Sequence, residues 1–384
     1  MKLYEPREDS LLLKKHIKKY AKGNVLDVGT GSGIQAVEAK KYADFVLGVD
    51  IQKEVINYCK NTHKKENLFF KQSNLLENVK KKFDLITFNP PYLPNDKRVK
   101  DITLDGGKHG YELIRDFLNT VNNHLKPDGK ILLLFSNLSK KEKVEGFINK
   151  NGLKFKKLDE QYMGGFETLY IYLLEKESWN KEVDKNKITD IQYLTSGKRG
   201  IVFTGQKGTQ KVAMKVINPK SEAINRTETE LNFLKRLERY KIAPKVLLAG
   251  KNFFVMEFIE GKLILQFIKE SKKKAIQATL KKILQMMYLL DTLKINKEEM
   301  TRPIKHPIIT SDTITLLDWE RANMTQNPKN LTQFCQFLTS TRVSCMLNKK
   351  NIQLSKGKMV KLTQIYKKDM TSTNSDKIIQ QLYK

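Results

Sequence analysis

The residues with the clearest chemical use are Asn89, Pro90, Pro91 and Tyr92. A carboxamide both donates and accepts hydrogen bonds, so Asn89 can pair with another planar amide or amidine edge. The two prolines cannot continue a sheet ladder, and they bias Asn89 toward an extended backbone. The apolar run from Phe83 to Phe88 ahead of them reads as a buried strand. The result is a stiff turn that holds one carboxamide at the carboxyl end of a strand, where open α/β sheets bind ligands. Taken alone, the same stretch is also an ordinary strand terminator followed by a surface asparagine.

The elements that must position this turn come earlier in the chain. Leu11 to Lys19 reads as an amphipathic helix, with Asp9 or Ser10 expected as its cap. A short buried strand from Asn24 to Val28 runs into Gly29-Thr30-Gly31-Ser32-Gly33, which opens a helix at Ile34. Glycines there allow a sharp turn and the close approach of a ligand. Their spacing matches neither the dinucleotide fingerprint nor the phosphate-binding loop. The next strand ends in Asp50, about 20 residues beyond the glycines, where an acid can accept from a ribose diol. A further helix and a strand over Leu68-Phe69-Phe70 precede Asn74 and Leu75. This alternation predicts a doubly wound sheet.

Glycine turn, terminal acid and Asn-Pro-Pro-Tyr together resemble the class I S-adenosylmethionine-dependent methyltransferases that methylate planar nitrogen. Tyr4-Glu5-Pro6-Arg7-Glu8-Asp9-Ser10 is similar to the opening signature of the archaeal and eukaryotic HemK-like branch, as is Asp105-Gly106-Gly107-Lys108-His109-Gly110 to its glycine-rich segment. Leu125 to Lys130 and Gly164 to Tyr170 fit the last turns of that fold. The resemblance covers roughly residues 1 to 175. It implies a Rossmann-like domain over residues 1–176 that methylates the glutamine amide of the Gly-Gly-Gln motif in peptide chain release factors. It also implies that Ser10, Asp27, Gly29, Gly31, Asp50, Asn74 and Leu75 surround S-adenosylmethionine. Asn89, the Pro90 carbonyl and Tyr92 would form the catalytic turn, acting by orientation. The branch usually carries an acid where Asn74 stands, and Asn can still accept from the adenine amino group, so weakened binding is expected. Some members work with a small zinc-containing activator protein, and nothing in this sequence decides that need. A nucleic-acid methyltransferase acting on adenine N6 or guanine N2, with a non-catalytic pseudokinase docking module, is the alternative.

Charge keeps that alternative open. The 384 residues carry a net charge of +29, and ten of the 71 basic residues are arginine. Such a surface suits RNA or ribosome proximity, and equally a general lysine-rich solvated surface. Hydrophobic content of 40% supports real cores. No run of about 18 apolar residues suggests a membrane span. Cys59, Cys335 and Cys345 lie far apart with no Cys-x-x-Cys pair, so neither a disulfide framework nor a zinc site is expected and a reducing cytoplasm fits.

Glu175 to Lys187 is charged and aperiodic and reads as a linker, assigned to residues 177–187. A second domain, residues 188–384, begins with strand, glycine turn and strand from Tyr193 to Phe203. Lys215 sits on an alternating strand, Glu230 on the following helix, and Asp318 in a late strand expected over residues 313–320. This order resembles an α+β protein-kinase-like fold near the Rio and lipopolysaccharide-kinase groups. The resemblance implies ATP and Mg2+, with Gly197, Gly200, Lys215 and Glu230 at the nucleotide and Asp318 on the metal. The catalytic-loop pattern of that group is missing; Glu298 or Glu299 stands where a base would, and His306 where an asparagine would. An active kinase and a nucleotide-binding pseudokinase both remain open, and the lysine-rich tail from Asn323 reads as helical.

Overall fold

The structure, a computed structural model, describes residues 4–64, 66–95, 104–197, 200–217 and 224–383. It divides into two compact units, Met1–Leu194 with Phe203–Gln210 and Thr195–Val202 with Lys211–Lys384.

The first unit contains α1 (Glu8–Tyr20), β1 (Asn24–Val28), α2 (Ile34–Ala39), β2 (Phe45–Asp50), α3 (Lys53–Thr62), β3 (Leu68–Gln72) and β4 (Phe83–Phe88). It continues with α4 (Glu112–Val121), β5 (Leu125–Ser136), α5 (Lys141–Lys150), β6 (Leu153–Gly164), β7 (Glu167–Lys176) and α6 (Ser178–Lys185). The seven strands lie in the order β3-β2-β1-β4-β5-β7-β6. The first five are mutually parallel, and β7 runs antiparallel to both β5 and β6.

Successive strand residues point to opposite faces. Leu26 and Val28 of β1 join Ile86 and Phe88 of β4 in one core, covered by Ile114 and Phe117 of α4 and Val144 and Ile148 of α5. Val25 and Leu85 face the other way, against Leu13 and Ile17 of α1 and Ala36 and Ala39 of α2. Both faces being covered is why these strands read as near-continuous apolar runs. The order reverses between β1 and β4, which opens a crevice at their carboxyl ends.

Two local expectations are corrected. Helix α1 starts at Glu8 with Arg7 at the cap position and no side-chain cap, so neither Asp9 nor Ser10 caps it. The expected linker is largely helix α6. Trp179, Asn180 and Val183 of that helix are buried. The Asn180 Nδ2 donates to the Gly152 carbonyl at 3.2 Å, and Lys176 Nζ donates to the Asn122 carbonyl and Asp184 Oδ2, each at 3.0 Å. Only two of the three inward residues are apolar, so the helical period was invisible in the sequence.

Strands β8 (Ile188–Ser196) and β9 (Gly200–Lys207) are each divided by the partition. Lys198 and Arg199 of the expected glycine turn lie outside the described residues. The second unit then runs through β10 (Gln210–Ile217), α7 (Ile224–Leu237), β11 (Val246–Ala249), β12 (Phe253–Glu257), β13 (Lys262–Leu263), α8 (Ile264–Glu270) and α9 (Lys273–Thr292). Short strands β14 (Ile295–Asn296), β15 (Pro307–Ile309), β16 (Ile314–Leu316) and β17 (Asn323–Met324) follow. Helices α10 (Asn330–Leu338), α11 (Thr341–Asn348), α12 (Lys356–Lys368) and α13 (Ser372–Ile379) make up the tail, as its composition suggested. The architecture is α+β: β12 pairs antiparallel with β10 and β11, and the helices share one core around Leu280, Leu284 and Met287 of α9. The late strand is shorter than expected and stops two residues before Asp318, whose φ of 63° lies in the left-handed region. Among the described residues no helix is long and apolar enough to cross a membrane.

Candidate active site

All ten residues expected around the cofactor and acceptor line one cleft at the carboxyl ends of β1, β2 and β4. The loop after β1 is built on glycines at φ 64°, 51° and 85° (Gly29, Gly31 and Gly33), a conformation that a Cβ would strain. Helix α3 supports it from below: the Cys59 thiol donates to the Gly31 carbonyl at 3.2 Å, and His63 Nε2 lies 2.9 Å from the Ser32 carbonyl.

Asp27 lines the cleft but spends its oxygens on the protein. Thr30 Oγ1 donates to one at 2.7 Å and Thr87 Oγ1 to the other at 2.8 Å, tying β1, the glycine loop and β4 together. Burial pushes its carboxyl up to about 6 despite these donors. Its geometry is that of a brace for the loop. Asp50 is held at both oxygens by main-chain donors, Gly31 at 3.1 Å and Gln52 at 3.0 Å, and burial raises its pKa. Leu75 adopts φ 45°, rare for a leucine and common at ligand sites. Asn74 Nδ2 donates to Glu77 Oε1 at 2.8 Å, which leaves the oxygen as the acceptor end of that side chain.

At the end of β4, Asn89 Nδ2 donates to Asp9 Oδ2 at 2.8 Å. Asn89 Oδ1 is buried and has no hydrogen-bond partner among the described residues. A buried acceptor left unpaired costs about 1–3 kcal/mol, which a ligand N–H would recover. Pro90, Pro91 and Tyr92 complete this wall of the cleft. The Tyr92 carbonyl accepts from Ser139 Oγ at 2.9 Å, and burial, with Asp9 next, keeps the Tyr92 phenol protonated.

Sequence reasoning missed four contributors. Tyr4, seen only as part of a signature, and Asp9, seen there and as a helix cap, form one network with Asn89; Tyr4 Oη donates to Asp9 Oδ2 at 2.9 Å. The glycines at 106 and 110 had no assigned role, yet they pack against the Asn-Pro-Pro-Tyr backbone. A Cβ at Gly106 would meet the Pro91 carbonyl oxygen at 2.7 Å, and one at Gly110 the Tyr92 carbonyl oxygen at 2.5 Å. The repeated glycines of that segment were the available signal.

In the second unit Lys215 forms a buried ion pair with Glu230 and lies 3.4 Å from Glu320. Burial works against the ammonium, but the carboxylates of Glu230, Glu320 and Asp318 outweigh it and hold Lys215 protonated. Gly200 sits beside this lysine, where a Cβ would lie 3.4 Å from its Cε, and the Gly197 amide donates to the Gly200 carbonyl at 2.9 Å. The ligand atoms of Glu299, His306 and Asp318 lie within 4.8 Å of one another. Glu298 turns elsewhere, accepting from Asn323 Nδ2 at 3.3 Å. The buried Lys297 donates to the Asp318 carbonyl at 2.7 Å and lies 2.8 Å from His306 Nδ1.

A doubly wound sheet whose switch point carries a glycine loop, an acid closing β2 and a carboxamide turn closing β4 defines a class I S-adenosylmethionine-dependent methyltransferase. The Methyltransferase small domain family matches residues 8–156. A Methanocaldococcus jannaschii protein assigned as a protein N5-glutamine methyltransferase is 37% identical over 160 residues, 40% of this chain and 81% of the relative. By that likeness the chain belongs to the protein N5-glutamine methyltransferase family and is a methyltransferase. A release factor glutamine methyltransferase of Streptococcus pneumoniae is 31% identical over 124 residues, and the match spans 29% of this chain and less than half, 44%, of that relative. Among solved structures, the E. cuniculi Mtq2–Trm112 complex aligns with 27% identity and a TM-score of 0.40, covering 46% of this chain and 100% of that one.

The residues present fit the cofactor of this class. The loop at Gly29 and Gly31 admits close approach, Asp50 offers fixed acceptors, and the Asn74 oxygen is an acceptor in the cleft lining.

Proposed function

We propose that this chain methylates the side-chain amide of the glutamine in the Gly-Gly-Gln motif of a peptide chain release factor. The observation that carries the reading is the buried Oδ1 of Asn89, which has no partner among the described residues and whose Nδ2 is already committed to Asp9. S-adenosylmethionine supplies an electrophilic methyl carbon on sulfonium. Asn89 Oδ1 and the Pro90 carbonyl accept the two hydrogens of the glutamine NH2, and so hold its lone pair on the open side of the amide plane. Bound there, S-adenosylmethionine would supply the methyl group that this nitrogen takes, its sulfur leaving as the neutral thioether. That nitrogen then releases one of its own hydrogens as a proton to water. The chain's part is orientation in a shielded cleft, which requires no general base. Asp50 and the Asn74 oxygen are assigned to the ribose diol and the adenine amino group.

The test pairs labelled S-adenosylmethionine with an archaeal-type release factor. Label should enter the wild-type factor and vanish when the Gly-Gly-Gln glutamine is replaced. Label that persists on the replaced factor overturns the assignment. The net charge of +29 favours nucleic acid as the rival acceptor. Stronger labelling of total RNA or DNA than of the release factor would establish that rival instead. Asn89→Ala should abolish transfer while the cofactor still binds; loss of cofactor affinity would mean that Asn89 serves the cofactor.

For the second unit we propose nucleotide binding, carried by the buried Lys215–Glu230 pair. Lys215 would meet the phosphates, and Asp318, with Glu299 beside it, offers carboxylates suited to Mg2+. Calorimetry with ATP and Mg2+ should show binding that Asp318→Ala weakens. Equal heats for wild type and variant would remove Asp318 from the site.

A further inference from the structure

We propose that Asp9 is a positioning residue for methyl transfer, because it dictates which end of the Asn89 carboxamide is left for the acceptor. The proposal rests on the reading that Asn89 holds the acceptor amide. The side chain of Asn89 is close to symmetric in shape, and its two ends differ only in donating or accepting. A clamp for an NH2 group works in one orientation alone. With Oδ1 toward the acceptor it receives an N–H; turned over, it opposes one N–H with another.

The network around Asp9 removes the second orientation. Asp9 Oδ2 accepts from Asn89 Nδ2 at 2.8 Å and Tyr4 Oη at 2.9 Å. Asp9 Oδ1 accepts from the Ser10 amide at 2.6 Å and Ser10 Oγ at 3.3 Å. Each named partner of this carboxylate is a donor, and the residue is buried at 4% exposure. An ionised carboxylate can only accept, so a turned Asn89 would set oxygen against oxygen at hydrogen-bond distance. Asp9 thus leaves Oδ1 as the open end, and that atom is buried with no partner among the described residues.

The same bond carries an electrostatic consequence. A donor bonded to an anion polarises its own amide, which makes the Asn89 oxygen a stronger acceptor. The acceptor nitrogen gains positive charge as the methyl carbon bonds to it. The interaction with Oδ1 therefore strengthens on the way to the transition state, and appears in kcat more than in KM.

A reciprocal exchange tests this. Asp9→Asn leaves the orientation of Asn89 undecided. Asn89→Asp sets two carboxylates against each other. In the double variant the new carboxamide at position 9 donates to the new carboxylate at position 89, whose second oxygen again accepts. With a Gly-Gly-Gln substrate and labelled cofactor, each single change should lower kcat by about tenfold or more, while the cofactor Kd stays within a few-fold. The double variant should recover about tenfold over the worse single variant. Wild-type kcat in Asp9→Asn, or a double variant no better than either single one, overturns the proposal. If an exchange variant loses cofactor affinity, Asp9→Ala decides, since it removes the acceptor of Asn89 Nδ2 and sets no new polar group beside it. It should lower kcat at unchanged cofactor Kd, and an unchanged kcat overturns the proposal. A wild-type chain that labels no glutamine would instead overturn the functional reading, and that result precedes every variant.

Discussion

Asp50, the last residue of β2, accepts the Gly31 amide at 3.1 Å and so locks an acid of one strand to the glycine loop of its neighbour. Its other oxygen accepts from Gln52 at 3.0 Å, so the carboxylate cannot swing away from the cleft. A fixed acceptor spends little entropy when a diol meets it. Asp50→Ala removes that acceptor and leaves the Gly31 N–H without its partner. The expected outcome is an S-adenosylmethionine Kd weakened by about tenfold or more, or about 1.4 kcal/mol, read by titration calorimetry. A Kd within twofold of wild type would place the ribose elsewhere.

The sheet was legible because each of its elements is signalled locally. Apolar runs over Val25–Val28 and Phe83–Phe88, separated by a glycine turn and an acid-ended strand, allow few arrangements other than the observed order. The cleft residues followed, since strand ends at the switch point converge whatever the loops do. What stayed hidden depends on contacts between distant segments. The Asn89–Asp9 bond spans 80 residues, and no spacing rule announces it. Asp27 was expected on the cofactor and lines the cleft, but its bonds to Thr30 and Thr87 were hidden, because only the folded register of β1 against β4 brings Thr87 opposite it. Helix α6 was concealed because the inward face includes Asn180, a polar residue whose Nδ2 donates to Gly152 and Asn122.

Gly110 adopts φ 82°, and a Cβ there would lie 2.5 Å from the Tyr92 carbonyl oxygen. Gly110→Ala must therefore move either its own loop or the Asn-Pro-Pro-Tyr turn. That turn is also anchored by Ser139, so the strain is shared between two parts of one wall. A displacement near 1 Å at an orienting group costs about a hundredfold in rate. The expected outcome is kcat reduced on that scale with cofactor affinity close to wild type. Retention of full kcat would mean the loop yields alone.

Asp27 makes stability pH-dependent in an unusual direction. Burial pushes its carboxyl from 3.8 in the unfolded chain to about 6 in the fold. Between those values the folded chain keeps a proton that the unfolded chain has released, so stability falls as pH rises. The loss starts near pH 4, is complete above about pH 6, and amounts to about 3 kcal/mol at 1.4 per unit. Asp27→Asn carries no titrating proton and should lack this component. Urea unfolding of both proteins at pH 4, 5, 6 and 7 checks it: the wild-type values should decline against those of the variant. Parallel profiles would show that Asp27 titrates at its unfolded value.

Lys215 and Glu230 are not equivalent halves of their ion pair. Lys215 has a second carboxylate, Glu320, at 3.4 Å. Glu230, 3% exposed, has besides Lys215 only the Trp319 amide at 3.4 Å among its described donors. Removing the lysine therefore strands a buried anion, whereas removing the glutamate leaves a cation that still has an acid beside it. Breaking a buried pair from one side costs about 3–5 kcal/mol when the remaining charge is uncompensated. Lys215→Met should approach that loss, and Glu230→Leu should cost clearly less. The double variant should be more stable than Lys215→Met alone, because it strands no charge. Denaturant unfolding of the full chain, followed at Trp319 in the core of this unit, ranks the three. Equal losses for the two single variants would mean that Glu320 does not support Lys215. If the double variant is no more stable than Lys215→Met, then lost packing, and not a stranded carboxylate, sets the cost.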